Sequence, residues 1–527
     1  MKILLVETKH PYVTSSYSYP RGAVPYALVC VATYLREKGK DVEILDMNAE
    51  DMDYDKLPEV LEEKKPDVVG VPSACTMYIP DSFRVCKIAK EVNSGIVTVG
   101  GGINFTAATE FYMRMCPELD FVVRGDGEHT MLRLVEALER GERDFSKIPG
   151  LAWRDGEEIH VGPEYYIDDL DSLPHPNWDL VDLDKYGLGI FPPSWGKQVM
   201  FTLARGCPYS CNFCVATRGQ GRYRCPSVDW SLEAIRILRR KYDRRMLYIN
   251  DLCFGVSRDW TEELCKRIIE EKLDVNMCVD MRTDLVVKHK DLLPLMRKAG
   301  VRIVCLGVES PLEEDEPKYQ KKAGGKSPAG MAEEAVKYVK RAGIELWTFN
   351  MVGAPWHTPR DIKKILDFAD KLDGEVTIFS IFTPLPGTPL YEEMKERGLI
   401  LTDDLTYFSE TEPITKNFYM TPEELFVLYA ELWVAFYAKP LRILKGLLSS
   451  EDTFRGWFYR KLYGRSKAFG KRIRSARERG HWPISPEEER RLQKWAKRVL
   501  GSNRFEMLLQ DLAFQFFFKV LGKGKAA

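Results

Sequence analysis

The sequence predicts an α/β chain in three parts: a doubly wound parallel sheet, a second βα repeat forming a full or partial barrel, and a helical C-terminal region. Three observations lead there. Short β-branched runs alternate with amphipathic helical stretches over the first 140 residues, the alternation resumes near Val199, and beyond about residue 420 the pattern turns helical and aromatic. A length of 527 residues exceeds one compact core, and 45% hydrophobic with 29% charged residues is an ordinary folded composition, which excludes a disordered chain.

In the first part, residues 2–6, 42–45, 68–71, 96–99 and 121–123 read as strands, with helices over 25–38, 81–92 and 129–140. Strands apolar on both faces and separated by helices specify a parallel sheet, here of five strands. Ligands of such sheets sit outside the carboxyl ends of the strands. Those ends carry Ser73, Thr76, Met77 and Tyr78, then Gly100, Gly101, Gly102 and Asn104, then Gly125, Asp126, Gly127 and Glu128. Glycines there either let a ligand approach the backbone or end strands in tight turns.

Prolines 149, 163, 174, 176, 192 and 193 mark residues 146–198 as a connecting segment. The second part has strands at 199–203, 246–249, 275–279, 303–306, 345–352 and 376–382, interleaved with helices such as 231–241, 260–271 and 328–341. Its chemistry is expected at the C-terminal mouth of the strands. Thr421-Pro422-Glu423-Glu424 reads as the start of a helix in the third part. The expected division is 1–145, 146–198 (linker), 199–410 and 411–527.

Charge is uneven. Residues 451–527 hold 19 Lys and Arg against 8 Asp and Glu, while residues 1–450 hold 58 against 70. The basic end suits contact with a membrane or another anionic partner, or is a solvated helical face; with no recognisable binding module beside it, nucleic acid is not expected. The aromatic closing stretch 507–518 reads either as part of a helical lid over the barrel or as an amphipathic surface. The first apolar run stops at Glu7, too soon for a signal peptide, and no stretch reaches the roughly 18 uncharged residues of a spanning helix, so a cytoplasmic location is expected. Twelve cysteines in such a chain point to metal or redox chemistry rather than disulfides.

Directly after the strand at 199–203 comes Arg205-Gly206-Cys207-Pro208-Tyr209-Ser210-Cys211-Asn212-Phe213-Cys214. Three thiolates on one loop can hold three irons of a 4Fe-4S cluster and leave the fourth open to chelate a substrate through amino and carboxylate groups. A zinc site or coincidence is the alternative; zinc prefers four ligands in paired groups, and Cys225 is the nearest fourth candidate.

With Phe213 before the last cysteine, this loop resembles that of the radical S-adenosylmethionine superfamily. Further along, Tyr248-Ile249-Asn250-Asp251, Asp280-Met281-Arg282-Thr283-Asp284 and Leu306-Gly307-Val308-Glu309-Ser310 resemble the family's strand-end motifs in order and spacing. Asn250 departs from the paired-acid pattern, leaving Asp251 to carry over. The resemblance implies that Cys207, Cys211 and Cys214 hold the cluster, that its open iron binds S-adenosylmethionine, that Phe213 flanks the adenine, and that Asp251, Arg282 and Glu309 contact the cofactor. Reductive cleavage of the sulfonium then yields a 5'-deoxyadenosyl radical.

The sheet ahead of the barrel, with Gly100-Gly101-Gly102 and Gly125-Asp126-Gly127-Glu128, resembles the Rossmann-like domain of the cobalamin-binding branch, so that the likeness spans residues 1 to about 400. It implies cobalamin held by the strand-end residues named above. The Asp-x-His-x-x-Gly motif of classical mutases is absent, which implies a corrinoid without a histidine lower ligand, its lower face packed by residues 73–78; Met77 or Tyr78 either approaches the cobalt or belongs to the core. The branch implies a C-methyltransferase acting on an unactivated sp3 carbon of a lipid, tetrapyrrole, peptide or protein side chain, such as one in methyl-coenzyme M reductase. It also implies an electron donor such as flavodoxin or ferredoxin. A non-methylating radical cyclase and a corrinoid-carrying sensor or chaperone are the other readings. The seven histidines are scattered, and none is assigned a catalytic role.

Overall fold

The computed structural model describes residues 1–9, 23–187, 189–321, 326–437, 439–450, 452–457 and 486–500. Its first sheet contains β1 (Lys2–Glu7), β2 (Asp41–Asp46), β3 (Val68–Pro72), β4 (Val97–Gly101) and β5 (Phe121–Val123), all parallel in the order β2-β1-β3-β4-β5. The sheet is doubly wound because its strands are apolar on both sides. Leu4, Val6, Val69 and Val71 meet helices Leu57–Lys64 and Ile79–Val92 on one face. Ile3, Leu5, Val99 and Val123 meet helices Tyr26–Glu37 and Gly127–Glu139 on the other.

Two strands were not expected. β6 (Leu151–Asp155) and β7 (Glu158–Val161) add an antiparallel hairpin to β5, inside the segment read as a linker. Its two-residue turn is Gly156-Glu157 with Gly156 at φ 60°, and glycine at the first turn position is a hairpin signal that the flanking prolines obscured.

The second sheet holds β8 (Lys197–Phe201), β9 (Arg244–Ile249), β10 (Asn276–Arg282), β11 (Val301–Glu309), β12 (Glu345–Val352) and β13 (Val376–Ile381), parallel and in sequence order. β8 and β13 do not pair, so the barrel is partial. Alternate residues face the two sides: Val199, Leu247, Val279 and Leu306 join the helices outside. Met200, Met246, Tyr248, Cys278, Cys305, Trp347 and Phe349 form a separate inner core with Phe191, Trp195 and Phe454. Asn276 at the start of β10 donates to the Trp195 carbonyl (3.1 Å), which puts this aromatic plug at the floor and leaves the C-terminal ends of the strands for chemistry.

Beyond the barrel, helix Pro422–Tyr437 opens with the expected capping residues: Glu424 N–H donates to Thr421 Oγ1, and Thr421 N–H donates to Glu424. It covers the free edge of β13. Tyr437 Oη donates to the Thr377 carbonyl (2.7 Å) and accepts from its N–H (2.9 Å), while Tyr429 Oη donates to the Phe379 carbonyl (3.0 Å). An edge strand is thereby satisfied by phenols instead of another strand. Helices Pro440–Leu448 and Pro486–Val499 follow. The basic run beyond residue 457 and the closing stretch 507–518 lie outside the described residues. Among the described residues no helix is long and apolar enough to cross a membrane.

Candidate functional site

The cysteine loop leaves the end of β8 and is pinched at its base. Arg205 and Arg224 form an isolated antiparallel bridge, each N–H donating to the other's carbonyl at 2.8 Å, so residues 206–223 form a closed excursion with two arginines at its neck. Gly206 stands at φ 80°, and a Cβ there would lie 2.0 Å from the Arg222 carbonyl oxygen; only glycine fits between the two limbs.

The neck is charged, and its counter-ions come from the first sheet. Arg205 bonds both oxygens of Glu128 (2.5 and 3.1 Å) and lies 3.2 Å from Asp126. Arg224 reaches Asp126 Oδ2 (2.5 Å) and the Ile167 carbonyl (2.7 Å), and the same Asp126 oxygen accepts from the Ile167 N–H (2.8 Å). Burial works against charge on Arg205, but the Glu128 and Asp126 carboxylates hold its guanidinium above the ordinary value. Asp126 and Glu128, expected at a cobalamin site, therefore turn their carboxylates toward the cysteine loop.

Within the loop Cys211 is 7% exposed, and Cys207 and Cys214 are half-buried. Burial pushes the Cys207 thiol up and the Cys214 thiol to about 11, and the other cysteine sulfurs push in the same direction, so the three lie within one another's field. Among the described residues no three His, Cys, Asp or Glu side chains converge as a single bound ion requires. Arg282, at the end of β10, donates from Nη1 to Cys211 Sγ (3.3 Å), lies 3.8 Å from the Tyr209 ring centre and pairs with Asp284 (2.9 Å).

The other expected S-adenosylmethionine contacts ring the mouth. Asp251, 2% exposed, accepts the N–H groups of Leu203 (2.8 Å) and Ala204 (2.9 Å) on Oδ1, which fixes the chain just before the neck. Its Oδ2 is buried without a hydrogen-bond partner among the described residues, and burial raises its pKa to about 7. Glu309, at φ 62° where β11 bulges, pairs through Oε1 with Lys321 (2.8 Å). Phe213 meets the Tyr319 ring edge-on, with centroids 5.7 Å apart.

In the first domain, Ser73, Thr76, Met77 and Tyr78 are all buried after β3. Thr76 Oγ1 donates to Asn104 Oδ1 (2.7 Å), and Asn104 donates back to the Ser73 carbonyl (3.4 Å), lacing this loop to the turn after β4. Packing alone explains several glycines: a Cβ on Gly100 would meet the Phe105 ring at 3.1 Å, on Gly127 the Val31 side chain at 3.0 Å, and on Gly125 the Tyr165 carbonyl oxygen at 2.1 Å. Gly101 is different, since among the described residues a Cβ there meets only Val123 at 3.9 Å. His129 bonds Tyr165 Oη (3.0 Å).

Sequence reasoning missed the two neck arginines and a buried brace. Asp315, 1% exposed, accepts from the Trp356 indole N–H (2.6 Å) and lies 3.0 Å from His357 Nε2. Burial alone would raise Asp315, but His357 and its other donors hold it below the usual carboxylate range. The brace steadies residues 316–319, where the Tyr319 carbonyl accepts the Asn212 N–H (3.2 Å) and the Lys318 carbonyl accepts from the Asn212 side chain. No local motif announces a pair 42 residues apart.

The donor set fits two cofactors. Three thiols on one loop with a neighbouring cation suit an iron–sulfur cluster. The C-terminal ends of β1 and β3 flank the point where the strand order β2-β1-β3 reverses, and Gly101 at the end of β4 lies alongside, which suits a large planar ligand outside the strand ends. The B12 binding domain family model matches residues 20–135, and the Radical SAM superfamily model matches residues 201–369. An uncharacterized methyltransferase of Pyrococcus horikoshii is 31% identical over 451 residues, covering 85% of this chain and 95% of that protein. An anaerobic magnesium-protoporphyrin IX monomethyl ester cyclase of Rubrivivax gelatinosus is 29% identical over 431 residues, covering 81% of this chain and 75% of its own. The radical S-adenosylmethionine methyltransferase TsrM from Kitasatospora setae, solved with cobalamin and its 4Fe-4S cluster bound, shares the fold at a TM-score of 0.67 and 20% identity, covering 88% of this chain and 99% of that one.

Proposed function

The chain belongs to the cobalamin-binding radical S-adenosylmethionine family, and on that premise we propose that it is a C-methyltransferase moving a methyl group from S-adenosylmethionine, by way of cobalamin, to an unactivated sp3 carbon. The observation that carries this reading is the joining of the two cofactor regions: the neck of the cysteine loop is paired to Asp126 and Glu128 at the end of β5, so the two regions are held against each other. The methyltransferase relative, matched over nearly its whole length, supports methylation.

Cys207, Cys211 and Cys214 are assigned to the cluster, with Phe213, Asp251, Arg282 and Glu309 toward S-adenosylmethionine. Ser73, Thr76, Met77, Tyr78, Gly100, Gly101, Gly102, Asn104, Gly125, Asp126, Gly127 and Glu128 are assigned to the cobalamin side, Asp126 and Glu128 through their hold on the neck. When bound, the cluster and cobalamin supply one-electron cleavage and methyl transfer. The chain's own residues position and shield. Arg282 keeps positive charge against Cys211. Glu309 keeps Oε1 on Lys321 and offers its second oxygen to the cofactor. Phe213, Tyr319, Trp356 and Phe382 form an aromatic wall that excludes water. Loss of hydrogen from an sp3 carbon as an atom needs no general base, so the scattered histidines fit structural work.

The proposed division remains 1–145 for cobalamin, 199–410 for the radical chemistry and 411–527 as the helical part, with 146–198 connecting and its hairpin lent to the first sheet. A cytoplasmic enzyme drawing electrons from a flavodoxin or ferredoxin, with the basic C-terminal region meeting a membrane or another anionic partner and with no nucleic acid, completes the proposal. Its substrate class is a lipid, tetrapyrrole, peptide or protein side chain. The cyclase relative supports the second reading, a ring-forming oxidation on the same machinery. Anaerobic turnover with methyl-labelled S-adenosylmethionine, followed by mass spectrometry of metabolite, lipid and protein fractions, separates them: a methyltransferase leaves label in product, and a cyclase leaves none.

A further inference from the structure

Tyr319 occupies the meeting point of everything that steadies the cysteine loop. Its carbonyl accepts the Asn212 N–H, its ring meets Phe213 edge-on, and it stacks on Phe382 with centroids 6.3 Å apart, beside Trp356 at 6.1 Å. The side chain is 1% exposed, and its hydroxyl has no hydrogen-bond partner among the described residues. Burial, followed by the fields of Asp315, Glu309 and Glu314, keeps that phenol protonated, and so a donor. A phenylalanine would fill the same aromatic box without stranding a polar group, so packing gives no reason for the oxygen.

We propose that Tyr319 is a cofactor-positioning residue whose hydroxyl donates a hydrogen bond to the nucleoside half of S-adenosylmethionine. The placement argues for that half. Phe213 lies against the same ring and sits between the cluster cysteines Cys211 and Cys214, while Glu309 at the mouth contributes to the field at the hydroxyl. Phe213 and Trp356 are only partly buried beside it, which leaves ring surface for a flat heterocycle, and neither offers the phenol a competing acceptor. The inference rests on the site assignment proposed above.

The test is Tyr319→Phe in full-length protein reconstituted anaerobically with cluster and cobalamin. Two bindings are compared: S-adenosylmethionine by equilibrium dialysis, and free methionine, which lacks the nucleoside, by the electron paramagnetic resonance shift of the reduced cluster. The expected result is S-adenosylmethionine binding weakened roughly tenfold, methionine binding unchanged and thermal stability equal or higher. Equal S-adenosylmethionine affinity in the two proteins overturns the proposal. So does a parallel loss for both ligands, which marks displacement of the loop. Failure of the unsubstituted protein to bind S-adenosylmethionine overturns the underlying site assignment instead, and is visible before the variant is made.

Discussion

At the scale of single residues, Cys211 is the most exposed to test. It is the best buried of the three loop cysteines and the one touched by Arg282. Cys211→Ala is expected to abolish S-adenosylmethionine cleavage and to lower bound iron well below the roughly four per chain of an intact cluster; iron analysis and Mössbauer spectra check it. Glu345, far away at the start of β12, gives a prediction free of the cofactors. It accepts the N–H groups of Phe454 (3.1 Å) and Arg455 (3.3 Å), and burial, with Glu375 adding, raises its pKa from 4.5 to about 7. A raised acid stabilises the fold fully below its unfolded pKa and loses that contribution as pH climbs through the folded value. Stability is therefore expected to fall between about pH 5 and 8 by an amount on the order of 2 kcal/mol, and Glu345→Gln is expected to flatten the slope in urea titrations across that range. The cysteines were legible because their spacing is local. The phenol of Tyr319 and the Asp315–His357 pair were not, because each draws its meaning from partners distant in sequence.

At the scale of elements, most strands were legible because parallel strands buried on both faces read as unbroken apolar runs. The hairpin of β6 and β7 escaped because only Leu151 and Ala152 of its strand residues are buried and prolines surround it. The neck of the cysteine loop escaped for another reason: Arg205 and Arg224 look like any surface arginines until the fold brings Asp126 and Glu128 against them. Arg224→Met leaves Asp126 buried against one guanidinium fewer and is expected to cost about 3–5 kcal/mol. Adding Asp126→Asn should return part of that loss. Chemical denaturation of the two single variants and the double variant measures the coupling.

At the scale of the whole molecule, the two sheets are locked by close backbone approaches as well as by charge. A Cβ on Gly219, at the end of the short helix Ala216–Gly219 in the cysteine loop, would lie 2.4 Å from the Ile103 carbonyl oxygen, and one on Gly387 would lie 2.3 Å from that of Ala107. Residues 103–107 of the first domain are thus wedged between two parts of the second. Gly387→Ala, at φ 84°, is expected to loosen this seat: hydrogen exchange at 103–107 rises, and methyl transfer falls by about tenfold while S-adenosylmethionine cleavage persists, since alignment between the halves is lost and the cluster is not. Retained methyl transfer would show that the seat does not set the alignment.

The pairing of Arg205 and Arg224 with Asp126 and Glu128 also governs how such chains can recombine. A crossover placed anywhere between residues 128 and 205 parts the acids from their bases. A hybrid of two homologues can therefore inherit matched partners only if both parents carry the same quartet; otherwise its halves arrive as strangers, and the segment between them behaves as a single hereditary block.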